Sequence, residues 1–159
     1  MKFEIEKQLQ SFAFRNSKPF CYTCYEEASS GKCHRCGSDD LMRLIPGVGC
    51  EWGIDWVIRH LIEEKLAPVD TDEEFEESVR QCYPEDVKVG WMTLDSVSVM
   101  KEMDPVSWDI ARSEWESQEE DDGSLISFDH GATFYRRYDI QEMIATDTAE
   151  QVLGGSHAN

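Results

Sequence analysis

The chain has 159 residues, 40% of them hydrophobic, and its 33 Asp and Glu against 15 Lys and Arg give a formal net charge of −18. That length holds one ordinary core, or a small metal module joined to a second domain of about 100 residues. No apolar run approaches the roughly 18 residues of a membrane span, which predicts a soluble protein, and so negative a field opposes approach to DNA, RNA or anionic lipid.

Residues 1–19 fit either a strand, from the alternation in FEIE, or a short helix across EIEKQLQSFAF. The opening MKFEIEKQLQ is charged and has no apolar segment of the kind a secretory signal carries. The six cysteines are therefore expected as reduced thiols in a cytoplasmic compartment.

Four of them, Cys21, Cys24, Cys33 and Cys36, stand in CYTCYEEASSGKCHRC as two C-x-x-C pairs eight residues apart. Each pair can place both sulfurs on one side of a tight turn, and zinc takes four thiolates at about 2.3 Å in a tetrahedron. Four protein ligands close the coordination sphere, so the spacing predicts one structural zinc and no catalytic position. His34 lies inside the second pair and is expected to point outward. Cys50 and Cys82 lie outside the motif and read as packed thiols.

Residues 20–45 resemble the short zinc-ribbon family, in which two CxxC knuckles joined by a brief hairpin grip one metal. Gly37, directly after Cys36, suits that turn because glycine adopts positive φ freely. Tyr25 holds the equivalent place after Cys24, so a less regular first turn is expected. Zinc ribbons bind nucleic acids, bind proteins or only brace a fold, and the resemblance implies the cofactor without the activity. The exit strand is expected in LMRLI, ended by Pro46 and the glycines of IPGVG.

From Glu51 to Leu66, Ile54, Val57, Ile58, Leu61 and Ile62 recur at helical spacing, with Trp52 and Trp56 along one flank. Thr71-x-x-Glu74 reads as a capping box opening a helix with Phe75, Val79 and Cys82 on its core stripe, stopped by Pro84. VKVGWMTL is expected to be one strand with Val87, Val89 and Trp91 on its buried face. Asp95 caps a short helix, and Asp104-Pro105 starts another whose stripe is Trp108, Ala111 and Trp115. LISF and TFYRR read as strands turning at Asp129-His130-Gly131, and Asp139 caps a last short helix.

These elements predict an α+β chain with a zinc-ribbon module and its N-terminal segment over 1–49, an acidic domain over 50–145 and a flexible tail over 146–159. The acidic domain combines helices, a strand and a C-terminal β-hairpin, and Asp95–Tyr138 resembles the second half of a winged-helix domain in outline. Residues 1–49 balance seven cations against six acids, +1, whereas residues 50–159 carry eight against 27, −19. The second helix of the winged-helix outline holds Asp109, Glu116, Glu119 and Glu120 with one cation, Arg112, so its surface would repel phosphate.

No phosphate-binding glycine loop, dinucleotide fingerprint, GxSxG elbow or HExxH pair is present, and nothing in the spacing poises Cys50 with His60 or His130 as nucleophile and base. A non-enzymatic protein is expected, whose acidic part engages a basic protein surface through Asp109, Glu116, Glu119 and Glu120. In its specific form it imitates nucleic acid to occupy a nuclease, a restriction or CRISPR-type effector, or a polymerase. The competing reading is a transcription or translation regulator whose ribbon touches nucleic acid through Arg15, Lys18, Lys32, Arg35 and Arg43 with Phe20, Tyr22 and Tyr25. An acidic surface that serves solubility alone is the plainest alternative.

Overall fold

The computed structural model describes residues 2–155, a mixture of helices and small antiparallel sheets that divides into two compact units. The first comprises the described residues of 1–67 and 138–159, and the second residues 68–137. The units meet in the chain after residues 67 and 137, whereas the sequence suggests boundaries after 49 and 145. The helix over residues 55–65 packs back on the N-terminal helix, and the C-terminal segment belongs to the same unit.

In the first unit, α1 (Lys2–Arg15) resolves the N-terminal ambiguity in favour of a helix. Ile5, Leu9, Phe12 and Ala13 fall on one face at 3.6-residue spacing, and all four are buried. Four short antiparallel strands follow, β1 (Lys18–Cys21), β2 (Glu26–Glu27), β3 (Met42–Ile45) and β4 (Gly49–Glu51), in the order β2-β1-β3-β4. Arg43 on β3 donates to the carbonyls of Phe14 at 3.0 Å and Ser17 at 2.9 Å and to the Ser17 hydroxyl, satisfying acceptors left at the end of α1.

Gly49–Glu51 pairs with Ile45–Arg43, so α2 (Asp55–Lys65) starts later than its apolar spacing suggests. It lays Val57, Ile58, Leu61 and Ile62 against α1. Trp52 precedes the helix and is 54% exposed, so it does not share a flank with Trp56.

The last helix, α6 (Arg137–Gly155), begins two residues before Asp139 and runs through most of the segment expected to be a tail; residues 156–159 lie outside the described residues. Ile140, Met143 and Asp147 are its buried face. Asp147 accepts from Asn16 Nδ2 at 3.3 Å and Gln151 Nε2 at 3.2 Å, and lies 3.8 Å from Arg15 Nη2. A buried carboxylate needs such partners; Gln151 is one turn along the same helix, whereas Asn16 and Arg15 lie more than 130 residues away in the chain.

The second unit opens with α3 (Thr71–Cys82), whose N-cap is Asp70, not Thr71: its carboxylate accepts from the Glu73 N–H at 3.1 Å. Of the expected stripe only Phe75 is buried, Val79 is half-buried and Cys82 is exposed. The expected single strand is a hairpin of β5 (Asp86–Val89) and β6 (Met92–Asp95). Gly90, at φ +61, is the first of its two loop residues, the place a II′ turn gives to glycine. The turn throws Trp91 to the tip, 96% exposed, and leaves Val87 and Val89 exposed instead of buried.

Asp95 caps α4 (Ser96–Met103) by accepting from Ser98 N–H at 3.0 Å, and Asp104 caps α5 (Pro105–Asp121) by accepting from Ser107 N–H at 3.1 Å. Trp108 and Trp115 of α5 meet Phe75 at ring-centroid distances of 4.8 and 6.0 Å, whereas Ala111 is exposed. The strands β7 (Leu125–Ile126) and β8 (Tyr135–Arg136) are two residues each. They are joined by a loop in which Asp129 accepts from Thr133 N–H at 2.8 Å, not by a tight turn. Arg136 pairs with Glu74.

Candidate metal centre

Cys21 ends β1, and its register partner Glu26 begins β2, so the intervening turn returns Cys24 to the same side. Cys33 and Cys36 sit in the loop before β3. That loop is closed by Cys33 N–H donating to Ser38 O at 2.9 Å and Gly37 N–H donating to Cys33 O at 2.7 Å. The four sulfurs lie within 4.8 Å of one another, and Cys21 Sγ is 3.8 Å from Cys36 Sγ. A tetrahedron with metal–sulfur bonds of about 2.3 Å has edges of about 3.8 Å, so the donor set fits a tetrahedral cation.

Both knuckles turn in the same way. Gly37 has φ +75, and Tyr25, the residue equivalent to it, has φ +57. Tyr25 therefore shares the left-handed conformation of Gly37, carrying a side chain where that conformation costs about 1–2 kcal/mol. The Tyr25 ring meets Phe20 edge-on at 5.2 Å and Tyr22 at 6.4 Å, which offsets part of that cost.

The electrostatics of the thiols suit a cation. The backbone N–H groups of Cys36 and Arg35 point at the Cys33 sulfur and lower its pKa to about 6, making it a thiolate at neutral pH. Burial, followed by the facing Cys33 and Cys36 sulfurs, pushes Cys24 up to about 12. Cys21 receives the Cys24 N–H, but burial and its sulfur neighbours outweigh that bond and its pKa is raised. A divalent ion between the four would reverse this mutual opposition and hold every thiol ionised.

His34 is no part of the cluster. Its side chain is 72% exposed and faces Glu26 Oε2 at 3.2 Å, while Arg35 lies 3.5 Å from the other oxygen of Glu26. Glu26 thus ties the second knuckle to the strand leaving the first. That role is not legible in the sequence, where Glu26 and Glu27 look alike; their register against β1 separates them. Cys50 lies half-buried on β4, and His60 on α2 faces Glu64 at 3.5 Å.

The four acids singled out on α5 are not equivalent. Asp109 and Glu116 flank Arg112 at 3.9 and 3.6 Å, and Arg112 also pairs with Asp72. Glu119 and Glu120 lie in the last turn, which contains no basic residue, and neither forms an ion pair among the described residues. Acids there oppose the helix dipole, whereas those opening α3 complement it.

No family model, curated protein or solved structure matches this chain. Among the described residues, no helix is long and apolar enough to cross a membrane.

Proposed function

We propose that this is a non-enzymatic, zinc-stabilised binding protein whose acidic unit engages a basic protein surface in the cytoplasm. One zinc held by Cys21, Cys24, Cys33 and Cys36 closes its own coordination sphere and braces the ribbon. Binding is left to the second unit. Within this reading α4, α5 and the β7–β8 pair take the places of the two helices and wing of a winged helix, with carboxylates on the second helix.

The observation that carries the reading is the charge of residues 68–137, where 19 acids face six Lys and Arg, a balance of −13. Local structure accounts for the acids at the start of α3 but not for those ending α5. A partner with a positive face, such as a nucleic-acid-processing enzyme, gives the latter a use. The ribbon cations favour the competing nucleic-acid reading less. Lys18 pairs with Glu27, Arg35 with Glu26 and Arg15 with Asp147, while Arg43 is bound to the carbonyls of Phe14 and Ser17.

The full chain, immobilised at low and high salt, should capture a basic protein at low salt and retain neither DNA nor RNA. Asp109→Asn, Glu116→Gln and Glu120→Gln together should weaken capture and flatten its salt dependence, because steering follows the summed field. Lys32→Ala with Arg35→Ala should change little. Nucleic acid retained by the wild type and lost in that pair of substitutions, with a salt slope smaller by about two, overturns the reading.

A further inference from the structure

The outer side of α5 is not uniformly acidic. Trp108, Arg112 and Trp115 occupy the side that meets α3. On the opposite side Val106, Ile110, Ser113 and Ser117 recur at i, i+4, i+7 and i+11, which confines them to a stripe about 60° wide. Val106 is 68% exposed and Ile110 55%, and no residue of this 17-residue helix is buried. Asp109, Glu116 and Glu120 run along one border of the stripe at i, i+7 and i+11, and Glu114 and Asp121 along the other at i and i+7. Asp109, Ile110, Ser113, Glu114, Ser117 and Asp121 line one shallow groove.

We infer that this stripe is the docking groove for an amphipathic helix of a basic protein, with apolar residues along its seam and Lys or Arg on both borders. The inference rests on the function proposed above and names where on the acidic unit the partner sits. The two serines leave room for a partner's bulky side chains to settle against the helix, as ridges settle into grooves. Val106 and Ile110 supply the apolar anchor, and the carboxylate rows supply register and exclude the wrong partners. Glu119, on the side nearer α3, takes no part. A second copy of the chain is a poor occupant, because packing two such helices together sets carboxylate rows against each other at a net charge of −18 per chain. Phosphate is a poor occupant for the same reason.

The probe is a synthetic Leu/Ala/Lys peptide of about 18 residues, the length of α5, compared with an isomer of identical composition whose leucines are spread around the helix. Titrated into the full chain, the amphipathic peptide should bind about tenfold more tightly than its isomer and gain helical circular dichroism on binding. Val106→Ser with Ile110→Ser, both exposed and so compatible with folding, should abolish that preference while leaving the isomer's affinity unchanged. Equal binding of the two peptides to the wild type overturns the groove and leaves the acidic-surface reading standing. Failure of both peptides to bind, even at about 0.05 M salt, overturns the groove and the acidic-surface reading together. Sedimentation showing a dimer that the serine pair dissolves would make a second copy the occupant and overturn the inference.

Discussion

Phe75→Ala tests whether the second unit is organised around a single aromatic contact. Phe75 is 6% exposed and is the one buried residue of α3, with Trp108 at 4.8 Å and 63° and Trp115 at 6.0 Å and 48°. Emptying a buried phenylalanine site costs about 3–5 kcal/mol, and the two tryptophans are too rigid to collapse into the space. A unit spanning residues 68–137 has a total stability of only about 4–10 kcal/mol, so the substitution removes a third or more of it. Urea unfolding followed by tryptophan fluorescence and far-UV circular dichroism should show the loss in this unit, while zinc stays bound to the ribbon. Trp108 is half-buried and Ala111 exposed, so Trp108→Ala should cost about 2 kcal/mol, less than a fully buried tryptophan. A loss under about 1 kcal/mol for Phe75→Ala refutes the argument, because the ring would then not be what joins α3 to α5.

Cys33→Ser removes the thiol held as thiolate by two backbone donors, and should release the metal and unfold the ribbon; reduced wild-type protein without one equivalent of zinc by elemental analysis would sink that expectation. Gly37→Ala meets nothing within 4 Å, so its cost is that of the backbone at φ +75 alone, about 1–2 kcal/mol by thermal unfolding of the zinc-loaded chain. Tyr25→Gly relieves the same conformation and should stabilise by up to about 1 kcal/mol, less the lost contact with Phe20. Arg80, followed by the Ser98 N–H, holds the Asp95 carboxyl well below the usual carboxylate range, and Lys101, followed by Arg80, lowers that of Glu76. Depressed folded-state values mean a stabilisation complete above the unfolded range near about 4 and lost as pH falls toward the folded values. Asp95→Asn should flatten the acid limb of a plot of urea midpoint against pH, and an unchanged limb would show that the pair contributes nothing.

What the sequence determined by itself was whatever depends on neighbours in the chain. The spacing of Cys21, Cys24, Cys33 and Cys36 placed the donor set because each pair closes within one turn. Asp95 and Asp104 announced their helices because a cap bonds an N–H three residues on. Periodicity found α2 and α5, but it could not say which apolar residues would find cover, since exposure is settled by what packs against a face. Val87, Val89 and Trp91 alternate like the inner face of one strand; Gly90 turns the chain instead, and the hairpin leaves them exposed. The reverse holds at the C-terminus, where Asp147 reads as a solvated residue in a tail. Tertiary structure buries it against Arg15 and Asn16, and partners that distant exist only once the chain has folded back on its own beginning.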